Sequence, residues 1–382
     1  MKLGNFVQRF NIKIFIYFLI AITAIYTLAF TLAFNLKDDG YILADWLINY
    51  EDGGFKRRGL SGSFFFIVQD ITGFSLNYIV YFFQFIIISL FFLGYAKLIR
   101  YKMTDLLYLS LLLSSIGFVG LLNTVTYVGK KEFIVFLLFT SFVYLLDKNK
   151  LSKYKEYIFC LLLFISTLLH EVTLFYVPYF AIALYVKNGK LEIKRYIKFF
   201  IAVMIPAAAI ILFGKNVNEG MSLEILNRRG VHPTYGILYW DIDERQYIKE
   251  HLNEYLLYLI SLGISVFHIG YYLKYLKGRE ILYILLIGAF VFSFPLFYLA
   301  IDWGRWMYIH MMLIIILFAL MLKKGDTVYA YEPIIINRKF YITMAIILLS
   351  LLYRVEMSGK GFTFEGVFYR LFVAPLELLN KM

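Results

Sequence analysis

Apolar residues run through this chain in blocks near twenty residues long, separated by short charged turns. A helix rises about 1.5 Å per residue and pairs its own backbone polar groups, so each block is long enough to cross about 30 Å of hydrocarbon. The blocks predict spans at 14–34, 75–96, 104–122, 133–146, 157–169, 172–186, 199–214, 253–273, 281–301, 306–322 and 340–355, about eleven in all. The segments between 133 and 186 are short for full crossings, which suits tilted helices or helices ending at a water-filled cavity below the membrane surface. In the first outer loop, "DDGYILADWLINY" places Tyr41, Ile42, Trp46 and Leu47 in a helical rhythm. That predicts a helix lying in the interface and ended by Gly53-Gly54. "LSGSFFFIVQDITG" (60–73) is too short to span beside the next span and predicts a re-entrant or interfacial helix. The expected fold class is all-α, a polytopic transmembrane helical bundle forming a single integral membrane domain over 1–382. Its larger outer segments are 35–74, 215–252 and an amphipathic tail at 356–382.

Composition agrees. The chain is 61% hydrophobic and 20% aromatic, with mean hydropathy +0.73, which excludes an ordinary soluble domain. The basic start "MKLGNFVQRFNIK" leads into an apolar run longer than the ~7–15 residues of a signal-peptide core, so the run is expected to stay as the first span. With the N-terminus inside, the excess of Lys and Arg falls on the cytoplasmic turns "KLIRYK", "DKNKLSKYKE", "KNGKLEIKRYIK", "KYLKGRE" and 323–339. The net charge of +12 is therefore a signal of topology rather than of nucleic-acid binding. Cys160 alone permits neither a disulfide framework nor a Cys/His metal pattern. The preference for Ile, Phe, Tyr and Lys over Ala and Arg fits a bacterial protein of low GC content, in the cytoplasmic membrane.

The cytoplasmic turns are Lys-rich and otherwise plain, whereas the outer segments mix both charges with Gly, Trp, Tyr and His. "NYEDGGFKRRGLSG" pairs Asp52 with Arg57 and Arg58 beside two glycines. Arginine matches phosphate with two parallel hydrogen bonds, and glycines let a backbone approach an anion. An equal alternative is a charge cluster resting on lipid headgroups. "LLHEVTLFYVP" sets His170 and Glu171 in apolar flanks, the makings of a carboxylate base tuned by an imidazole, or of a plain helix cap. "AIDWGRWMYIH" puts Asp302 three residues before Arg305, close enough to pair and anchor a helix end. Trp303 and Trp306 suit the interface belt or a sugar face, and His310 lies one turn deeper. "YVGKKEF" places Lys130, Lys131 and Glu132 at an outer turn, where lysine is disfavoured. "NRRGVHPTYGILYWDIDERQY" adds Arg228, Arg229, His232, Asp241 and Asp243, and repeats the Arg-Arg-Gly string. Its Asp-x-Asp is not read as a metal–nucleotide site, because such donors are cytoplasmic and this loop lies outside.

Taken together, "GGFKRRGLSG", "GKKEF", "HE" followed by Pro178, and "DWGRW" resemble the marks of bacterial Wzy-type polysaccharide polymerases, the O-antigen and capsule polymerases and their EpsG-like relatives. The resemblance runs through the whole chain in motif order, on short motifs. It implies a GT-C-like membrane glycosyltransferase that joins undecaprenyl-diphosphate-linked oligosaccharide repeats at the outer face, with no metal, nucleotide or other cofactor. By that resemblance Arg57, Arg58 and Arg305, with Lys131, Arg228 and Arg229, hold the diphosphate. Glu171 is the base, His170 orients it, and Asp52 and Asp45 are rival bases. Asp302, Trp303 and His310 position the sugar. Partners implied are the lipid-linked oligosaccharide, membrane lipid and a chain-length regulator protein, and no nucleic acid. Three rivals stay open. One is a GT-C enzyme that adds a single sugar from a polyprenyl-phosphate donor. Another is a lipid-linked oligosaccharide flippase, although transporters usually carry internal repeats and charges near the midplane. The last is a membrane acyltransferase.

Overall fold

A computed structural model of the chain describes residues 11–239, 243–274, 280–358 and 362–373. Among them the fold is helical apart from one antiparallel ribbon, Arg354–Val355 paired with Phe362–Thr363. Five helices are long and apolar enough to cross a membrane: Ile12–Leu36, Leu76–Ile99, Ile193–Phe213, Glu280–Leu299 taken through a break, and Trp303–Met321.

Several expected spans are interrupted for readable reasons. The segment 104–122 is two short helices, Leu106–Leu112 and Phe118–Asn123. Asp105 caps the first by accepting the Tyr108 N–H at 2.7 Å, and the turn closes where the Gly117 N–H donates to Ser114 O at 2.9 Å. A side chain at Gly117 would press on the Leu111 carbonyl. The segment 172–186 divides into Thr173–Tyr176 and Pro178–Asn188, because Pro178 has no N–H to continue the ladder. Ser293 and Pro295 likewise divide Glu280–Phe292 from Phe294–Leu299.

Two expectations for the outer segments are corrected. The interfacial helix is one buried turn, Leu43–Trp46, and ends well before Gly53-Gly54. Its neighbours Ile42, Leu47 and Ile48 are buried too, so the apolar rhythm packs into protein instead of lying on lipid. The tail opens with the ribbon and a π-turn at Tyr369–Val373, and its remainder, 374–382, lies outside the described residues. The helix expected at 60–73 is present as Gly59–Thr72.

The chain divides into two compact units, each discontinuous in sequence. One comprises Met1–Tyr26, Tyr95–Tyr127 and Asp243–Met382. At its heart is Trp303–Met321, whose span is 89% buried, against 22–39% for the other four spanning helices. A helix covered on all sides is a core element rather than a lipid-facing one. Tyr308 on this helix stacks on Tyr127 with ring centroids 4.6 Å apart.

The other unit comprises Thr27–Gly94 and Val128–Ile242. Helices Lys153–Leu169 and Ile193–Phe213 pack along each other. Buried Glu156 joins them by accepting from Arg195 Nε at 2.7 Å and pairing with Lys198. Phe139, Phe142 and Phe180 fill the adjoining core, Phe139 edge-on to Phe180 and Phe142 tilted against it. This unit holds the loop between Ile12–Leu36 and Gly59–Thr72.

Candidate functional site

The loop between Ile12–Leu36 and Gly59–Thr72 is folded inward and fixed by its own polar groups. Asp39 accepts the N–H groups of Tyr41 and Ile42 at 2.9 and 2.8 Å, making a tight turn. Trp46 Nε1 donates to the Gly129 carbonyl at 2.8 Å, and Gln84 Nε2 reaches the same oxygen at 2.9 Å. Gly129 has φ +67°, and a Cβ there would stand 2.9 Å from Ile42 and 3.1 Å from Thr31. Only glycine meets both demands. That turn delivers the two lysines that follow it. Lys130 Nζ donates to Tyr41 O and Lys131 Nζ to Asp45 O, each at 2.7 Å. The lysines that look misplaced at an outer turn thus act as clamps on loop carbonyls.

Arg58 caps Gly59–Thr72 with φ +64°, a left-handed backbone that is costly for a residue with a side chain. The conformation aims its guanidinium into the cluster. Nε lies 3.2 and 3.1 Å from the two Glu171 oxygens, Nη2 lies 2.7 Å from Oε1, and Nη1 lies 2.9 Å from Asp45 Oδ1. Lys131 Nζ is 3.6 Å from Asp45 Oδ2. On the far side of Glu171, His170 Nδ1 is 3.5 Å from Oε2, and His170 Nε2 is 3.2 Å from Glu132 Oε1. Arg57 stands at the open side, with its side chain 58% exposed and 3.8 Å from Glu171, itself 22% exposed.

Three buried cations, Arg58, Lys130 and Lys131, therefore face three carboxylates, Asp45, Glu132 and Glu171. Burial alone raises the Asp45 carboxyl, but the Lys131 and Arg58 charges more than reverse this and hold it below the usual carboxylate range. Burial likewise opposes ionisation of Glu171. The Arg58 charge, and His170 by hydrogen bond and charge, hold that carboxyl well below its ordinary value. As it stands, Glu171 is a poor base, because its lone pairs are occupied.

The structure thus brings Arg57, Arg58, Asp45, Lys131, His170 and Glu171 into one cluster. Asp52 is engaged elsewhere. It is buried, ion-paired to Lys56 and accepts from Ser222 Oγ, so it ties the loop to helix Glu219–Arg228. Gly53 and Gly54 take positive φ, and the Gly54 N–H is used on Tyr50 O at 2.9 Å. Arg229 binds Asp70 at 2.8 Å and Glu51 at 3.1 Å, and lies over the Phe66 ring. Arg228 is exposed and 3.9 Å from Glu224. The two Arg-Arg-Gly strings thus have different jobs. Asp243 caps Glu244–Glu250, and Asp241 lies outside the described residues.

The remaining predicted residues belong to the other unit. Arg305 pairs with Asp302 at 3.1 Å and lies 5.3 Å from the Trp306 ring centroid. Trp303 Nε1 donates to Phe297 O at 2.8 Å, and its ring meets Tyr255 edge-on. Trp306 is buried in the core, not placed in an interface belt. His310 is also a core residue. Its Nε2 meets Ser293 Oγ at 2.8 Å and its ring packs against Phe290, which removes it from a sugar-positioning role.

Glu132 and Lys130 are members of the cluster that sequence reasoning did not assign to the site. Both stand in "GKKEF", the string that flagged Lys131, but the contact of Glu132 with His170 spans 38 positions. Compared with family models, with curated proteins and with solved structures, the chain matches none.

Proposed function

We propose that this chain is an integral-membrane glycosyltransferase that polymerises undecaprenyl-diphosphate-linked oligosaccharide repeats at the outer face of a bacterial cytoplasmic membrane. The observation that carries the reading is the joining of "KRRG" and "HE", whose Arg58 and Glu171 lie 113 positions apart, in one contact. Apolar helices long enough to span a membrane suit a lipid-linked substrate.

The roles follow from charge. In the transfer an acceptor sugar oxygen attacks the anomeric carbon of the donor, and the bond from that carbon to the diphosphate breaks. The lipid diphosphate leaves with the electron pair, and the hydroxyl proton passes to a carboxylate. Arg57 and Arg58 stabilise the charge that grows on the leaving diphosphate, an effect that is larger in a water-poor site than in bulk solvent. Glu171 receives the proton, with His170 and Glu132 behind it. Asp45 and Lys131 position Arg58 and are not reacting groups.

The test is reconstitution in proteoliposomes with a fluorescent undecaprenyl-diphosphate oligosaccharide. A ladder of products that disappears in Arg58→Ala and Glu171→Gln supports the reading. One added sugar from a polyprenyl-phosphate donor identifies the single-addition rival. Movement of unextended lipid-linked oligosaccharide across the bilayer identifies a flippase.

A further inference from the structure

All three guanidinium nitrogens of Arg58 meet carboxylate oxygens, Nε and Nη2 on Glu171 and Nη1 on Asp45. An oxyanion that takes the two parallel bonds of the Nε/Nη2 edge must therefore displace Glu171. The two acids are not equally held. Asp45 is buried and pinned through its own carbonyl by Lys131, whereas Glu171 is partly exposed and lies beside Arg57 at the open side. Glu171 is therefore the one to leave. Three buried cations face three carboxylates, with Arg57 added at the open side, so an arriving dianion leaves the cluster net negative in a medium that solvates charge poorly.

We propose that the cluster is a proton-coupled oxyanion site, in which a phosphate-type anion takes the place of Glu171 on Arg58 and Glu171 takes up a proton as it leaves. A proton on Glu171 restores the balance among the charged groups that surround it. Arg57 and Arg58 come from the loop, and Asp45 from Leu43–Trp46. Lys130, Lys131 and Glu132 come from the Gly129 turn, and His170 from the residue before it. Lys215, whose N–H donates to Phe55 O at 2.8 Å, adds one more cation near the loop. Once Arg58 is withdrawn, Glu171 loses its closest cation, keeps His170 and the more distant Arg57, and faces the bound anion. Its affinity for a proton rises, and His170 lies within reach to relay one.

This deepens the glycosyl-transfer reading and rests on the same arginine pair, since Glu171, protonated in the donor complex, accepts the hydroxyl proton only after it hands its own to His170. A carboxylate locked on Arg58 is inert toward hydroxyls.

The test needs no sugar chemistry. Full-length protein in phosphatidylcholine nanodiscs is titrated calorimetrically with dimethyl diphosphate, which carries two charges and no proton that titrates near pH 7. The titration is repeated in buffers of different ionisation enthalpy. About one proton is expected to be taken up per anion, so Kd rises about tenfold per pH unit. Glu171→Gln is expected to bind at least as tightly with no proton uptake, and Arg58→Ala to lose binding. Wild-type binding without proton uptake, or no binding at all, overturns the proposal even if the variants do not fold. Nanodiscs containing phosphatidylglycerol separate two sources of the same chemistry. Weaker dimethyl diphosphate binding there supports a site open to headgroup phosphates, and unchanged binding supports one reserved for a diphosphate. Polymer synthesis without proton uptake overturns this inference and leaves the glycosyltransferase reading standing. Proton-coupled binding without sugar transfer does the reverse.

Discussion

Replacing Asp45 with Asn tests whether the cluster is held by charge. The Asp45 side chain is 4% exposed, with Arg58 Nη1 at 2.9 Å and Lys131 Nζ at 3.6 Å. Asn keeps the shape and removes one negative charge, leaving two buried cations short of a partner. Removing one member of a buried pair costs about 3–5 kcal/mol, so the unfolding constant should rise roughly 10²–10⁴-fold. The loss should be smaller when Lys131→Met accompanies it, because the double variant restores the balance. The expected coupling is about 1.5 kcal/mol or more in the double-mutant cycle. The assay is equilibrium unfolding in mixed micelles of increasing SDS fraction, followed by tryptophan fluorescence. Trp46 is a local reporter, since it is buried and has Lys131 5.5 Å from its ring centroid. Arg228→Ala, an exposed change, should stay within about 0.5 kcal/mol and serves as control. An Asp45→Asn variant as stable as wild type, or strict additivity with Lys131→Met, would refute the reasoning.

Three further outcomes follow from the same unit. Asp45 and Glu171 have folded-state affinities for protons below their unfolded values. Their contribution is therefore full above the ordinary carboxylate pKa of about 4 and is lost as pH falls through the lower folded values. Unfolding midpoints should be flat from about pH 7 to 5 and drop in stronger acid, with a shallower acid limb in Asp45→Asn. Gly129→Ala should cost about 1–2 kcal/mol for the left-handed backbone alone, plus the contacts with Ile42 and Thr31. Lower expression and an earlier SDS midpoint would check it. Gln84→Leu removes the amide that accepts from Asn35 Nδ2 at 2.7 Å and donates to Gly129 O. A loss of about 1–3 kcal/mol in the same unfolding assay is expected from the buried groups left behind.

Hydropathy alone made the helical, membrane-spanning character legible, because an apolar run of twenty residues has few other uses. It overcounted long helices where small breaks decide the outcome. Ser114–Gly117, Pro178 and Ser293–Pro295 each stop a helix inside an apolar block, and a window average does not see a missing N–H. The misreading of Tyr41–Leu47 has a related cause. A helical rhythm of apolar residues looks the same whether the face meets lipid or protein, and only the clamps from Lys130 and Lys131 turn it inward. Chemistry was more legible than geometry. Arg57, Arg58, His170, Glu171 and Lys131 stood out because charge in apolar flanks needs a partner. Which partner each takes depends on contacts 38 to 113 positions apart.

His310 shows the converse. Buried beside Phe290, its Nε2 meets Ser293 Oγ, a contact that core packing explains without a ligand. The same accounting applied to Arg58 gives the opposite result. Its conformation is unfavourable, its acidic partners come from two distant strings, and one of those partners, Glu171, is 22% exposed beside an exposed arginine. A purely structural ion pair would not require a left-handed arginine, because a helix cap is made more cheaply by Ser, Asp or Asn. The strain at Arg58 is therefore better explained by what its guanidinium must reach than by the helix it begins. If that is right, Arg58→Gly should lose anion binding while stabilising the Gly59–Thr72 start, relative to Arg58→Ala, by about 1 kcal/mol. Equal stability of the two variants in SDS unfolding would show that the conformation carries no cost.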